Sequence, residues 1–271
     1  MLVGVSGRRR GPASIIEPIE YGTAELIPEA DRPGCWTLLV NGMPQSHVDL
    51  GEPARLHFEY MRHLASVADT MAPRGTPLRA LHLGGGALAM PRYVHATRPG
   101  STQLVIEHDG LLTALVRRVL PLPAKADIRV RNADAARVLA SLRADHFDLI
   151  IADFPEMRAE LVADIAHALS PDGICAINLI DRQPLPATRI HTTALFSSFA
   201  DVCVIADPAV LRGKRPGNFV LVARKQGSLP IRPLTVAAAR EPLGIRVLHG
   251  PELAGCVPIG ERYGRAASPF R

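Results

Sequence analysis

The pattern that most constrains this chain is an alternation of short apolar runs and helical periodicity that begins near residue 78. The first pair consists of "LRALHLGG", a buried strand, and "ALAMPRYVHAT", a helix. Four more apolar runs follow, each long enough for one strand: "TQLVIEHD", "DIRVRN", "FDLIIADF" and "GICAINLID". Strands that alternate with helices are typical of a parallel sheet with helices on both faces.

The last two apolar runs break this alternation. "DVCVIAD" and "GNFVLVARK" are joined by "PAVLRGKRPG", a turn-rich stretch without a helical pattern. Two strands joined in this way predict an antiparallel hairpin at the edge of the sheet. We therefore expect an α/β chain with a mostly parallel, seven-stranded sheet, the Rossmann-like fold of S-adenosylmethionine-dependent transferases.

The remaining segments divide the chain into four predicted parts. Residues 15–52 contain short strands joined by Gly and Pro turns, which indicates a small N-terminal β subdomain. Residues 53–227 form the predicted Rossmann-like nucleoside-binding domain. Residues 1–14 carry Arg8, Arg9 and Arg10 among glycines and serines and are expected to be a disordered basic terminus. Residues 228–271, rich in Pro and Arg, are expected to form a tail without firm structure.

Composition excludes several classes of function. Aromatic residues make up only 4% of the chain, so stacking platforms for single-stranded nucleic acid are not expected. The four cysteines lie far apart in the sequence and show no metal-site spacing, so we expect no metal and a reducing compartment. No apolar run reaches about 18 residues, and no secretion signal is recognisable. These observations predict a cytoplasmic protein that binds neither a membrane nor nucleic acid.

Three consecutive glycines, Gly84 to Gly86, follow the first strand of the alternating region. Glycines let the backbone turn sharply and approach a ligand, and the N-terminus of the next helix favours hydrogen-bond acceptors. The same residues could form only a tight connection between strand and helix. Glu107 ends the next strand. Its separation from the glycines along the sequence is about that expected for an acid that binds a ribose diol. The glycine turn and the acid together predict a nucleoside site.

Acidic residues also follow the third and fourth strands. Asp134 opens a helix, where it could act as an N-cap or accept a hydrogen bond from an adenine amino group. Asp153 and Glu156 follow the fourth strand. Because ligands bind beyond the carboxyl ends of parallel strands, we expect both acids to face the crevice that contains Gly84 and Glu107. A lone acid at a strand end could equally be a hydrogen-bonded turn residue.

These motifs resemble those of the spermidine synthase (polyamine aminopropyltransferase) family. The resemblance is carried by "LHLGGGALAMPRY", "LVIEHD", "NADAARVL" and "LIIADFPE", and by "NGMPQS" and "HFEYMRH" in the N-terminal half. It covers roughly residues 15 to 225 and includes the β subdomain. The pattern is most similar to the actinobacterial spermidine-synthase-like group.

The resemblance implies roles for individual residues. It assigns Asp153 to the catalytic aspartate and Glu156 to the second acid of the family's Asp-x-x-Asp motif. It implies that the nucleoside, S-adenosylmethionine or its decarboxylated form, is bound by residues from several segments: Gln45, His63, Gly84, Gly85, Gly86, Glu107, Asp134 and Ala135. The implied partners are a small-molecule amine acceptor and a second copy of the chain in a homodimer.

The sequence also departs from the family pattern. Ala87 occupies the position of an aspartate that contacts the substrate, and His57 and Phe58 replace a Tyr-His pair. Glu156 is one methylene longer than the usual second acid. The segment between Asp153 and Pro171 leaves room for a helix of about four turns and almost no loop, where the family carries a gate loop. These departures argue against putrescine as the acceptor.

Three hypotheses therefore remain at the level of the sequence. The first is a transferase that moves an aminopropyl-type group to an amine acceptor. The second is an S-adenosylmethionine-dependent methyltransferase, against which the β subdomain argues. The third is a non-catalytic nucleoside-binding or interaction protein, which the short segment and Ala87 favour.

Overall fold

The computed structural model describes residues 13–154 and 157–257. The N-terminal part is a four-stranded antiparallel sheet in the order β1-β2-β3-β4. Its strands are β1 (Ile15–Ile19), β2 (Gly22–Pro28), β3 (Cys35–Val40) and β4 (Met43–Asp49). Asn41 and Gly42 join β3 to β4 with φ angles of 51° and 75°, the Asn-Gly turn that suits a two-residue hairpin. The small N-terminal sheet is thus confirmed.

The larger sheet contains eight strands in the order β12-β10-β11-β9-β8-β5-β6-β7. Its strands are β5 (Arg79–Leu83), β6 (Thr102–Glu107), β7 (Asp127–Asn132), β8 (Phe147–Ala152), β9 (Leu169–Asp181), β10 (Asp201–Ala206), β11 (Gly217–Arg224) and β12 (Arg246–His249). The neighbouring strands β9, β8, β5, β6 and β7 are parallel to one another. Strand β11 pairs antiparallel with β9, and β10 pairs antiparallel with both β11 and β12. The α/β fold with a largely parallel sheet is confirmed.

Helices cover both faces of this sheet. They are α1 (Glu59–Met71), α2 (Ala89–Thr97), α3 (Gly110–Val119), α4 (Ala135–Leu139), α5 (Leu161–Ala168), α6 (Pro186–Ser198), α7 (Pro208–Leu211), α8 (Ile231–Ala238) and α9 (Gly250–Cys256). Successive residues of β8 alternate between two apolar clusters: Leu149 and Ile151 join one, Ile150 and Ala152 the other. Because alternate residues face opposite sides and both sides are buried, a central strand is apolar throughout.

The eighth strand corrects the expected count of seven. All seven predicted strands are present, and β12 pairs with β10 through Val204 and Leu248, so the predicted hairpin is not at the edge. The segment expected to be a tail therefore contains α8, β12 and α9, while residues after 257 lie outside the described part. Leu234, Leu248 and Leu253 of these elements are almost fully buried. Tertiary burial, rather than local periodicity, folds this segment.

Arg98 fixes the helix that connects the two sheets. Its guanidinium is buried and donates to the carbonyls of Ala68, Ala72, Pro73 and Thr76. The carbonyls at the end of a helix have no partner within that helix, so a cation there both satisfies them and interacts favourably with the helix dipole. The C-terminal end of α1 is thereby anchored against the strand-bearing domain.

The segment after β8 differs from the expected four-turn helix. Helix α5 has eight residues and begins only at Leu161. Met157 is buried, and its carbonyl lies 2.9 Å from Nε2 of His191 on α6. This contact holds the start of the segment against α6, so it does not continue the helical hydrogen-bond pattern.

None of the helices in the described ranges is long and apolar enough to cross a membrane.

Replacing Leu253 with Ala tests the contribution of the folded C-terminal segment. The side chain is fully buried, so Leu253→Ala should lower the free energy of unfolding by about 2–5 kcal/mol, measured by urea denaturation. Leu243→Ala is the matched control because Leu243 is 56% exposed in the same segment. Equal stability of both variants would show that α9 does not pack on the sheet.

Candidate functional site

The glycine turn at the end of β5 lies directly against the end of β8. Gly84 has a φ of +93°, and a Cβ on this residue would lie 2.2 Å from the carbonyl oxygen of Asp153. The amide of Asp153 in turn donates to the Leu83 carbonyl at 2.8 Å. Only glycine allows this approach, so the first glycine brings the acid of β8 to the glycine turn.

The second glycine connects the turn to β6. The Gly85 and Gly86 amides lie 2.8 and 3.3 Å from Oε2 of Glu107, and the Asp109 amide lies 3.0 Å from Oε1. Glu107 is 7% exposed, so these backbone donors compensate a largely buried carboxylate. They also fix its orientation beside the glycine turn.

The third glycine faces the N-terminal sheet. A Cβ on Gly86 would lie 3.7 Å from the Cβ of Ser46 on β4. The neighbouring Gln45 has an exposed side chain, and its carbonyl accepts a hydrogen bond of 3.3 Å from the hydroxyl of Tyr60. Strand β4 and the first turn of α1 therefore lie next to the glycine turn.

Asp153 is held by two side chains from other elements. Nδ2 of Asn178 on β9 donates to Oδ1 of Asp153 at 2.9 Å, and the phenol of Tyr60 lies next to the carboxyl, to which it can donate in place of the Gln45 carbonyl. Burial raises the pKa of Asp153 despite these two hydrogen bonds, which lower it. Burial and the negative charge of Asp153 raise the pKa of Tyr60, so the phenol stays protonated and can donate.

The amide oxygen of Asn178 is an unusual feature of this cluster. Asn178 is 8% exposed, and its Oδ1 has no hydrogen-bond partner among residues 13–154 and 157–257. The contact of Nδ2 with Asp153 fixes which end of the amide is the oxygen. A buried acceptor thus remains available next to the acid, and leaving it without a donor costs about 1–3 kcal/mol.

Tyr60 and Asn178 are the two site residues that the sequence analysis missed. Tyr60 places a phenol beside Asp153 although the expected tyrosine position holds His57, which precedes α1. The signal was the Tyr in "HFEYMRH", three residues further along. Asn178 was the only polar side chain in the apolar run "ICAINLI".

Asp134 performs the capping role. Its Oδ1 accepts the Arg137 amide at 2.9 Å at the start of α4, and Ala135 is the first residue of that helix. The Ala133 amide donates to the Glu107 carbonyl at 3.1 Å, so the ends of β6 and β7 are adjacent. Asp134 is exposed, which leaves room for a base beside it.

His63 is placed differently from the other predicted site residues. His63 lines a cavity of about 370 Å³ together with Arg62, Tyr93 and Glu241. Burial lowers the pKa of His63 to about 4, so the imidazole is neutral near pH 7. Glu156 lies outside the described residues.

Ala87 adds nothing polar to the site. It follows the three glycines directly and is fully buried in the apolar cluster that lies under α1 and α2. Its methyl group therefore takes part in core packing.

Comparisons with known proteins bear on the fold. No protein-family model matches the chain, and no curated protein matches it. Among solved structures, a probable spermidine synthase from Corynebacterium glutamicum has a TM-score of 0.84 and 27% identity, over 96% of this chain and 99% of that one. This chain is spermidine-synthase-like. The organism of that structure is consistent with the actinobacterial group that the motifs predicted.

Two further structures share the fold of this spermidine-synthase-like chain. A spermidine synthase in complex with the transition-state analogue AdoDATO has a TM-score of 0.60 and 16% identity, over 84% of this chain and 80% of that one. Human methyltransferase-like protein 13 in complex with SAH has a TM-score of 0.51 and 18% identity, over 65% and 86%. The second likeness confirms the methyltransferase-like fold.

Replacing Gly84 with Ala tests the contact between the glycine turn and Asp153. Gly84→Ala should reduce stability by more than about 2 kcal/mol, because the backbone strain at positive φ adds to the clash with the Asp153 carbonyl. Gly75→Ala is the control for strain alone, since Gly75 has a φ of +87° and no atom lies within 4 Å of the place that a methyl group would occupy. Its expected cost is about 1–2 kcal/mol. Equal losses in urea denaturation would mean that the contact contributes nothing.

Proposed function

We propose that this chain is a transferase that binds S-adenosylmethionine or its decarboxylated form and moves an aminopropyl-type group to an amine acceptor. The observation that carries this proposal is the partly buried carboxyl of Asp153, hydrogen-bonded by Asn178 and Tyr60 and adjacent to the glycine turn. A homodimer stays a prediction from the resemblance, and a cytoplasmic location stays a prediction from the composition.

Glu107 is the proposed anchor of the nucleoside. A carboxylate that lies beside a glycine turn at the end of a parallel strand can accept hydrogen bonds from both ribose hydroxyls. The amides of Gly85, Gly86 and Asp109 orient it, and Nδ1 of His108 lies 3.2 Å from Oε1. Support comes from the structures that share this fold, one in complex with AdoDATO and one with SAH. Asp134 and Ala135 border the same edge of the sheet, where the adenine is proposed to lie.

Asp153 is the proposed general base. The nitrogen of the acceptor attacks the carbon attached to the sulfonium, a C–N bond forms, and the C–S bond breaks with its electron pair going to sulfur. The sulfonium becomes a neutral thioether, and the proton lost by the nitrogen passes to the Asp153 carboxylate. A raised pKa makes the carboxylate a better proton acceptor. The unpaired Oδ1 of Asn178 can accept a second hydrogen from the amine.

The acceptor is proposed to be an amine other than putrescine. Ala87 provides no carboxylate for a second ammonium group, and its burial leaves no room for one without disturbing the core. Met157 is tied to His191 only four residues after Asp153, which leaves little chain for a covering loop. A site without a second carboxylate and with little chain to cover it suits an acceptor that has one ammonium group or a bulkier substituent.

The direct test of the proposal combines calorimetry with product analysis. We expect saturable binding of S-adenosylmethionine, its decarboxylated form or methylthioadenosine, with preference for the decarboxylated form. Incubation with a panel of amines should then give an aminopropylated product detected by mass spectrometry. A methylated product would support the methyltransferase hypothesis, and absence of binding by all three nucleosides would contradict both transferase hypotheses.

Asp153→Asn separates chemistry from binding. Loss of a general base should reduce turnover about 10²–10⁴-fold while nucleoside affinity changes little. The folded-state pKa of Asp153 is raised, so the ionised form destabilises the protein once the pH exceeds the unfolded value. The variant should therefore be at least as stable as the wild type at pH 7 in thermal unfolding. Unchanged turnover would remove Asp153 from the catalytic role.

Tyr60→Phe should move the acid limb of the pH–rate profile to higher pH. The hydrogen bond from Tyr60 lowers the pKa of Asp153, so its removal raises that pKa further and protonates the base at higher pH. The control is Tyr93→Phe, which removes a phenol that donates to Asp69 at 2.8 Å on another face of α1. An acid limb in the same place for Tyr60→Phe and the wild type would contradict the pairing.

A further inference from the structure

A second cluster of ionisable side chains lies in the N-terminal sheet and the segment that leads to α1. Glu29 follows β2, His47 lies on β4, and His57 precedes α1. One nitrogen of each imidazole and one oxygen of the carboxylate all lie within 4.8 Å of one another. None of these residues belongs to the group around Asp153 and Glu107.

His47 is the fixed member of this cluster. Its side chain is only 6% exposed, and Nε2 lies 2.9 Å from Oε1 of Glu29. Its other nitrogen, Nδ1, is buried and has no hydrogen-bond partner within the described parts of the chain. A buried imidazole with a free nitrogen costs energy unless a proton donor or a metal ion satisfies it.

His57 completes the cluster from the solvent side. Its ring centroid lies 4.8 Å from that of His47, with the two planes inclined by 33°. His57 is exposed, so its side chain can rotate without loss of core packing. Two imidazoles held this close, beside a carboxylate, repel each other when both are protonated, whereas both can donate a lone pair to one cation.

We propose that Glu29, His47 and His57 bind a divalent first-row transition-metal ion, of which zinc fits best. Zinc takes imidazole nitrogen and carboxylate oxygen ligands at about 2.0–2.2 Å, usually in a tetrahedron. Tetrahedral ligands then lie about 3.4 Å apart, so a movement of the exposed His57 by roughly 1–2 Å closes the set. The fourth position is left to water or to a ligand from solution.

The position of the site gives it a structural consequence. Metal binding joins the residue after β2, a residue within β4 and a residue two positions before α1. Tyr60 lies three residues after His57, and its hydroxyl contacts both Gln45 of β4 and Asp153. The ion therefore holds the first turn of α1 against the sheet that carries Gln45, and so positions Tyr60.

The metal alone is the probe. Calorimetry of the metal-free full chain with Zn²⁺ should show one ion per chain, and Co²⁺ substitution should give visible absorption bands typical of four-coordinate cobalt. His57→Ala and Glu29→Gln should each weaken zinc affinity at least 10-fold, because each removes one of three ligands. The matched control His146→Ala removes an exposed histidine far along the chain and should leave the affinity unchanged.

Folding of the variants is checked by far-ultraviolet circular dichroism. Because His57 is exposed, its replacement should not disturb the fold. At the same zinc concentration, the Tm of the wild type and of His146→Ala should rise by more than that of His57→Ala. Failure to bind zinc at a one-to-one ratio would overturn the proposal. Equal affinity of the wild type and His57→Ala would overturn it as well. Either result leaves the proposed transferase activity unaffected.

Discussion

The contact between Gly84 and the carbonyl of Asp153 determines the geometry of the whole site. Parallel pairing brings the ends of β5 and β8 together, and only a residue without a side chain can turn there at a φ of +93°. The next two glycines, which also lack a side chain, approach Glu107 and Ser46. Three adjacent residues thus bring together the proposed base, the proposed ribose anchor and the N-terminal sheet.

This arrangement places two carboxylates in poorly solvated positions and compensates them differently. Glu107 is surrounded by backbone amides, which stabilise its charge and fix its direction. Asp153 has a side-chain amide and a phenol, and burial still raises its pKa. An ionisable group that a protein keeps at this energetic cost, in a crevice, is typical of a catalytic position. This difference in hydrogen-bond partners suits Glu107 to binding and Asp153 to accepting a proton.

The sequence predicted the features that depend on local patterns. Alternating apolar runs predicted all seven strands from β5 to β11. Because strand ends in parallel sheets converge at one edge, the sequence also predicted that Gly84 to Gly86, Glu107 and Asp153 lie close together, as they do, while their roles stay predictions. For Asp134 the sequence left a helix cap and an adenine contact open; the structure shows the cap, and the adenine contact stays a prediction. The four-residue strand β12 was missed because Leu248 owes its burial to β10 and not to a periodic neighbourhood.

Other features depend on contacts between distant segments. Tyr60 reaches Asp153 only because α1 begins at Glu59, and helix boundaries are poorly determined by sequence. The cluster of Glu29, His47 and His57 unites residues from three segments with no ligand spacing to reveal it. Helix α5 starts late because Met157 contacts His191, a packing interaction that its own helical pattern does not predict.

The most direct measurement of the central claim is a crystal structure of the full chain with methylthioadenosine. The account predicts both ribose hydroxyls within hydrogen-bonding distance of the Glu107 carboxylate and the thioether sulfur in the crevice beside Asp153 and Tyr60. A nucleoside bound elsewhere, for example in the cavity lined by His63 and Arg62, or one whose ribose does not contact Glu107, would contradict it.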